Sequence, residues 1–313
     1  MIIAIYKFTG NEEIYGDRID SAISARVEAL SRSAAQKLIE AEKVKINGTI
    51  CASKKIRVRQ GDLIEAEAEE RAETRILPEN IPLEIVYEDE DVIVVNKPRG
   101  MTVHPADRIV SGTLVNALLY HCGDRLSDVN GKFRPGIVHR IDKDTSGLIM
   151  AAKNNEAHSS LEKQLFLHTV TRRYQALVRD NIKEETGTVD MPVGRDPKNR
   201  IRRAVNGIGS KRAVTHYRVI ERFGTATLIE CVLETGRTHQ IRVHMSFINH
   251  PLLEDPLYGP RKERTKAIGQ MLHAAVLGFT QPSTGSYMEF EIEPPVIFME
   301  RLEKLRKTAR NPV

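Results

Sequence analysis

The stretch Gly136-Ile137-Val138-His139-Arg140-Ile141-Asp142-Lys143-Asp144-Thr145-Ser146-Gly147-Leu148-Ile149-Met150-Ala151-Ala152 sets the fold class. Its first half is polar and follows a Gly/Pro-marked loop, Arg134-Pro135-Gly136. From Leu148 to Ala152 it is continuously apolar, which fits a buried strand. Val92-Ile93-Val94-Val95 is a second run of this kind, and Tyr174–Val178, Val214–Val219, Leu228–Leu233 and Met288–Ile292 also read as strands. Helices are expected over 113–120, 155–167 and 239–248 and around 299–305. Strand runs outnumber helices and do not alternate regularly with them. The order therefore predicts an α+β fold built on a mixed, mainly antiparallel sheet, not a doubly wound one.

A smaller module precedes this region. Asp17 is placed to cap a helix in which Ile19, Ile23, Val27 and Leu30 recur at helical spacing. Ser31 is placed to cap a second helix, with Ala34, Ala35, Leu38 and Ile39 inward and Arg32 and Lys37 outward. Val44-Lys45-Ile46 then alternates into an Asn47-Gly48 hairpin turn. Lys55-Ile56-Arg57-Val58-Arg59 reads as a strand with Ile56 and Val58 inward and Lys55, Arg57 and Arg59 on the other face. Gly61-Asp62 turns the chain into Leu63-Ile64. The acidic stretch Glu65 to Glu79, closed by Pro78 and Pro82, shows neither apolar period and reads as a linker. The expected division is an extension over 1–16, a module over 17–67, a linker over 68–82 and a second domain over 83–313.

Charge is distributed unevenly along the 313 residues, whose formal net charge is only +5. From Asp17 to Asp62 ten basic residues face six acidic ones, and from Arg195 to Arg218 eight basic residues face one. Between them, Leu63 to Glu90 holds ten acidic and two basic residues. Two basic blocks suit a polyanionic partner, and they equally suit solvated faces. Cys51, Cys122 and Cys231 are an odd number, far apart, without a C-x-x-C pair; a disulfide framework and a thiolate zinc site are disfavoured. Together with an N-terminus that lacks a signal-peptide pattern, this points to the cytoplasm. There is no uninterrupted apolar run of about 20 residues. Phosphate-binding, dinucleotide-binding, zinc-protease and hydrolase-elbow motifs are all missing, so neither a cofactor nor a metal is expected.

Two stretches carry chemistry. In the first, Arg140 and Asp142 are separated by one residue and can share a face if the chain is extended. Thr145-Ser146-Gly147 offers hydroxyl and amide groups to fix the aspartate loop. Alone, the pattern also reads as a capped turn with a surface ion pair. The second stretch is Leu233-Glu234-Thr235-Gly236-Arg237-Thr238-His239-Gln240-Ile241-Arg242-Val243-His244. Gly236 permits a tight turn, Thr238 can cap the helix that follows, and Arg237 stands at its mouth, where a guanidinium can grip a carboxylate or phosphate.

The module over 17–67 resembles the S4 RNA-binding domain in Arg18-Ile19-Asp20, Ser31 to Ile39, Val44 to Gly48 and Gly61-Asp62. It departs at Ala41-Glu42, where a glycine is common. The larger region resembles the pseudouridine synthases of the large-subunit ribosomal A/C/D family. The resemblance rests on Glu88 to Pro98, Gly100 to Pro105, His139 to Leu148, Tyr174 to Val178, Leu233 to His244 and Leu272-His273-Ala274. Ile141 stands where leucine is commoner, and Glu254 stands where glycine is usual before Asp255-Pro256-Leu257-Tyr258-Gly259.

The resemblance implies isomerisation of specific uridines in RNA, most simply large-subunit ribosomal RNA. A tRNA-directed synthase and a non-catalytic RNA-binding or ribosome-assembly factor are the alternatives. By the same resemblance Asp142 is the catalytic carboxylate, kept ionised by Arg237; Tyr174 lies against the uracil; and Arg140 fills the space left when the nucleotide is flipped out. Arg32, Lys37, Lys55, Arg57 and Arg59, with Arg200, Arg202 and Arg203 of the second basic block, are the expected RNA contacts. The expected partner is RNA, with no membrane and no nucleotide cofactor, and the protein is expected to act as a monomer.

Overall fold

The computed structural model describes every residue except 1, 12–13, 28–29, 71–75, 106–108, 132–133, 266 and 311–313. The chain divides into two compact units, residues 1–74 and 75–313.

The first unit begins with strand β1 (Ile2–Thr9), followed by helices α1 (Ile19–Arg26) and α2 (Arg32–Glu40) and strands β2 (Val44–Ile46), β3 (Thr49–Ile50) and β4 (Leu63–Glu70). Its sheet runs β1-β4-β2-β3 with antiparallel neighbours. Ile19, Ile23, Ile39, Val44, Val58 and Ile64 form its core. Ser31 caps α2 as its hydroxyl accepts from the Ala34 amide at 3.3 Å.

Four expectations are corrected here. Residues of the 1–16 segment are not an appendage, because β1 pairs with β4 along its whole length. The acidic segment is strand as far as Glu70: Ile64, Ala66 and Ala68 alternate inward, and the small side chains of the two alanines hide the period from a count of large apolar residues. Arg18, not Asp17, is the N-cap of α1, without a side-chain cap bond. The 55–59 segment forms only an isolated bridge, Arg57 to Arg18; Val58 is buried while Ile56 is exposed.

In the second unit a nine-stranded sheet is built from β5 (Glu84–Glu88), β6 (Val92–Lys97), β7 (Ser146–Ala152), β8 (Thr171–Arg179), β9 (Thr186–Asp190), β13 (Val214–Arg222), β14 (Ala226–Leu233), β15 (Leu272–Thr280) and β16 (Tyr287–Glu291). The order is β5-β6-β7-β15-β8-β14-β13-β9, with β16 on β15, and only β7 and β15 run parallel. A small sheet of β10 (Val193–Arg195), β11 (Arg203–Val205) and β12 (Ile208–Lys211) carries the second basic block.

Both faces of the large sheet are covered, which explains the unbroken apolar runs. On one face Ile93, Val95, Ile149, Ala176 and Val178 pack with α3 (Leu114–Cys122) and α5 (Gln240–Phe247). On the other, Val92, Val94, Leu148 and Met150 pack with α4 (Asn155–Phe166), and Leu177 and Leu228 pack with α6 (Val296–Arg310). Gly147, at φ +114°, is required where the parallel pair meets, since a Cβ there would overlap the Ala274 backbone. Glu42 and Glu254 hold φ values of +59° and +57°. These are left-handed turns of the kind glycine adopts freely, so both turns persist with a bulkier residue.

Candidate active site

Asp142 lies in the loop that leads into β7, on the wall of a cavity of about 520 Å³. The loop is tied down from three sides. The Thr145 amide donates to the Asp142 carbonyl at 3.1 Å. Gln270 donates to the Thr145 hydroxyl at 2.9 Å. Lys97, at the end of β6 and 0% exposed, donates to the carbonyls of Pro98, Met101 and Lys143 at 2.8, 2.9 and 3.0 Å. Three acceptors around one nitrogen call for three donors, which only the ammonium form has. Burial nevertheless draws the Lys97 pKa down to about 7, against the pull of Asp144 and Asp142.

The guanidinium against Asp142 belongs to Arg242, not to Arg237. Arg242 Nη1 donates to Asp142 Oδ2 at 2.8 Å, while Nε and Nη2 grip Asp255 at 2.7 and 2.9 Å. Five residues after Arg237, Arg242 sits within α5 and points back under the loop; the shorter sequence distance from the turn favoured the wrong arginine. Arg237 lines the same cavity, but its Nε donates to the Arg212 carbonyl. The turn before α5 is held by Gln240, whose Oε1 accepts from the Thr235 hydroxyl and the Arg237 amide. His239, in a left-handed conformation, is the N-cap, so Thr238 does not fill that role.

The Asp142 side chain is 15% exposed. Burial pushes its carboxyl up, but the charges of His239 and Arg242, the Arg242 hydrogen bond and Arg140 hold it below the usual carboxylate range. Burial also draws the His239 pKa down, so at neutral pH the lasting positive charges are the guanidiniums. His239 Nδ1 is hydrogen-bonded to the Tyr258 hydroxyl at 2.9 Å, and both Arg242 and Arg202 lie over the Tyr258 ring, at 5.1 and 5.0 Å. Asp255, Tyr258 and His239 thus support the Arg242–Asp142 pair.

Tyr174 stands on β8, buried, with its phenol pushed up by burial. Arg140 is exposed at the cavity, and its Nη1 donates to His104 Nε2 at 3.0 Å. Val138, Leu165 and Phe166 line the cavity, Phe166 being 79% exposed. Among the described residues, five arginines and one carboxylate line this space. It is therefore suited to a neutral ring held among anionic oxygens, with one fixed carboxylate available as base or nucleophile.

The remaining predicted contacts lie elsewhere. Arg200 is exposed between β10 and β11, Arg202 pairs with Asp196 at 3.9 Å, and the Arg203 amide donates to Tyr258. In the first unit Lys37, Lys55, Arg57 and Arg59 are exposed. Arg32 is half-committed, since its Nε donates to buried Asp20, which also accepts from Arg18 and Gln36. Among the described residues one cluster has metal-ligand spacing, Glu88, His121 and Cys122. Lys153 and His121 already occupy both Glu88 oxygens, at 2.8 and 2.7 Å, and burial pushes the Cys122 thiol up to about 11, so the donor set suits an ion pair better than a metal. No helix among the described residues is long and apolar enough to cross a membrane.

Residues 91–247 match the family model for RNA pseudouridylate synthase, and residues 17–64 match the S4 domain. An uncharacterized RNA pseudouridine synthase of Bacillus subtilis is 50% identical over 96% of this chain and 97% of its own length. The ribosomal large subunit pseudouridine synthase D of Zymomonas mobilis is 46% identical over 92% and 93% of the two chains. Among solved structures, human RNA pseudouridylate synthase domain containing 1 aligns with a TM-score of 0.57 at 25% identity, covering 78% of this chain and 98% of that one.

Proposed function

The chain belongs to the RNA pseudouridylate synthase family, and from that premise we propose that it converts uridines of large-subunit ribosomal RNA to pseudouridine in the cytoplasm, with Asp142 as the reacting carboxylate. The choice of RNA follows relatives named for the ribosomal large subunit that are 41–46% identical over nearly the whole chain. The observation that carries the choice of residue is that Asp142 is the one carboxylate among the described residues lining the arginine-rich cavity, hydrogen-bonded at 2.8 Å to Arg242.

The reaction is an isomerisation. The N1–C1′ bond breaks, the uracil turns, and a C5–C1′ bond forms; one proton leaves C5 and one reaches N1. No electron or phosphate donor is needed. Asp142 must be anionic whether it adds to a carbon or removes a ribose proton, and Arg242 keeps it so. Asp255 holds Arg242 in bidentate geometry, which fixes the direction of the Asp142 carboxylate. Tyr174 provides the wall against which the uracil lies.

A stacked uridine is out of reach, so the nucleotide is flipped, at a cost of a few kcal/mol. Arg140 has a planar, exposed guanidinium at the cavity, suited to stacking where the base has left. His104 steadies it through the 3.0 Å bond. Arg237 is reassigned from carboxylate partner to substrate contact. Arg200, Arg202 and Arg203 on the small sheet, and Arg32, Lys37, Lys55, Arg57 and Arg59 in the S4 unit, act on the RNA backbone and make affinity salt-dependent. Mapping pseudouridines in total RNA with and without the gene tests the proposal. Loss of defined sites in large-subunit RNA is expected; an unchanged map refutes it.

A further inference from the structure

Along β8 the inward positions are Arg172, Tyr174, Ala176 and Val178, all buried. Three of them suit a core face; the first is a charge. Arg172 is 6% exposed and lines the cavity that Asp142 and Tyr174 share. Its Nη2 donates to the Glu234 carbonyl at 2.9 Å, and its Nε has no hydrogen-bond partner among the described residues. Neighbouring arginines are neutralised: Arg242 by Asp142 and Asp255, Arg173 by Glu289 at 2.7 Å. Arg172 has no carboxylate within salt-bridge distance among the described residues; Tyr174 beside it is a neutral phenol, and the other group acting on it is a cation, Arg237.

A guanidinium cannot shed its charge by deprotonation. Buried and unpaired, it is costly to keep, so such groups are found beside a counter-charge. Gly236 adds a second observation. A Cβ at that position would come within 2.7 Å of Arg172 Nη1 and 3.8 Å of its Cζ, with no other atom of the described residues beyond its chain neighbours within 4 Å. The glycine leaves the space that the guanidinium occupies at the cavity wall.

We propose that Arg172 is the anchor for a phosphodiester oxygen of the substrate next to the flipped uridine, supplying the donors that the folded protein leaves unused. This rests on the isomerase reading and adds a substrate contact to it. Arg172 touches the RNA backbone and holds the nucleotide in place; the bond-changing carboxylate remains Asp142.

The test measures affinity for an unmodified large-subunit ribosomal RNA transcript across a salt series, with thermal midpoints alongside. Arg172→Met should weaken binding about ten-fold or more, and the slope of log affinity against log salt should fall by about 0.7, the value of one single-strand phosphate contact. Arg172→Lys should recover most of the slope, since an ammonium still pairs with phosphate. Gly236→Ala keeps the charge but displaces it, and should weaken binding several-fold without changing the thermal midpoint. Unchanged affinity in Gly236→Ala and in a folded Arg172→Met overturns the proposal. So does weaker binding with an unchanged salt slope, because the acceptor would then be an uncharged oxygen of the uracil. A wild-type enzyme that forms no pseudouridine, yet loses slope on Arg172→Met, would overturn the isomerase reading alone.

Discussion

Replacing Arg242 by methionine separates what this arginine does for the fold from what it does for Asp142. Arg242 makes two bonds to Asp255, at 2.7 and 2.9 Å, and one to Asp142, at 2.8 Å. Asp255 is buried, so its carboxylate would lose the one guanidinium that pairs with it among the described residues. Breaking a buried pair by removing one partner costs about 3–5 kcal/mol. For a unit of this size that is a fall in melting temperature on the order of 10 °C. Adding Asp255→Asn removes the stranded charge while keeping an oxygen for the Leu257 and Tyr258 amides, which Asp255 Oδ1 accepts at 2.8 and 3.0 Å. The double variant should regain much of the lost stability. It should not regain activity at low pH. Without Arg242, the upward push of burial at Asp142 is opposed by His239 and Arg140 with less help, and the carboxyl should titrate higher than in the parent. Single-turnover pseudouridine formation should then fall on going from pH 8 to pH 6, where the parent, whose Asp142 titrates below its ordinary range, keeps its carboxylate charged. A double variant with the parent's acid limb and near-parent rate would refute the assigned role of Arg242.

Three other perturbations follow from the same geometry. Lys97→Met leaves three buried carbonyls without donors and should cost about 3 kcal/mol or more, read as a lower melting temperature. Because the folded Lys97 pKa, about 7, lies below its unfolded value, the unfolded chain binds more protons above pH 7; this group's share of stability therefore rises with pH across that window, and the slope should vanish in Lys97→Met. Phe166→Trp places the chain's only tryptophan at the cavity mouth, and its emission should change when RNA binds; constant emission at saturating RNA would put the RNA elsewhere. Gly147→Ala should destabilise the catalytic unit by several kcal/mol, measured by denaturant unfolding, because φ +114° and the Ala274 backbone both exclude a Cβ.

Much of the fold was legible because burial on both faces leaves an unmistakable pattern. Val92–Val95 and Leu148–Ala152 read as buried strands for the reason that helices cover both sides of them. Strand β4 was not legible: Glu65, Glu67 and Glu69 alternate with small alanines, and acidity masked the period. Asp142 and Tyr174 could be singled out only through the family resemblance of the stretches that carry them, since each pattern alone also reads as a capped turn or a core aromatic. Arg242 and Asp255 could not, since their partnership spans 13 residues and is made by a helix turning a side chain back toward a distant loop. Arg172 left a faint signal in its two-residue spacing from Tyr174 on a strand. The absence of a counter-charge is a property of the folded surroundings and cannot be read from that spacing.

The most direct test of the central claim is pseudouridine formation by Asp142→Asn on unmodified large-subunit ribosomal RNA transcript, with RNA affinity measured in parallel. Asparagine keeps the size and a hydrogen-bonding oxygen but has no charge. The variant should bind RNA with near-parent affinity and form no detectable pseudouridine. Turnover by Asp142→Asn at a rate close to the parent's would contradict the account.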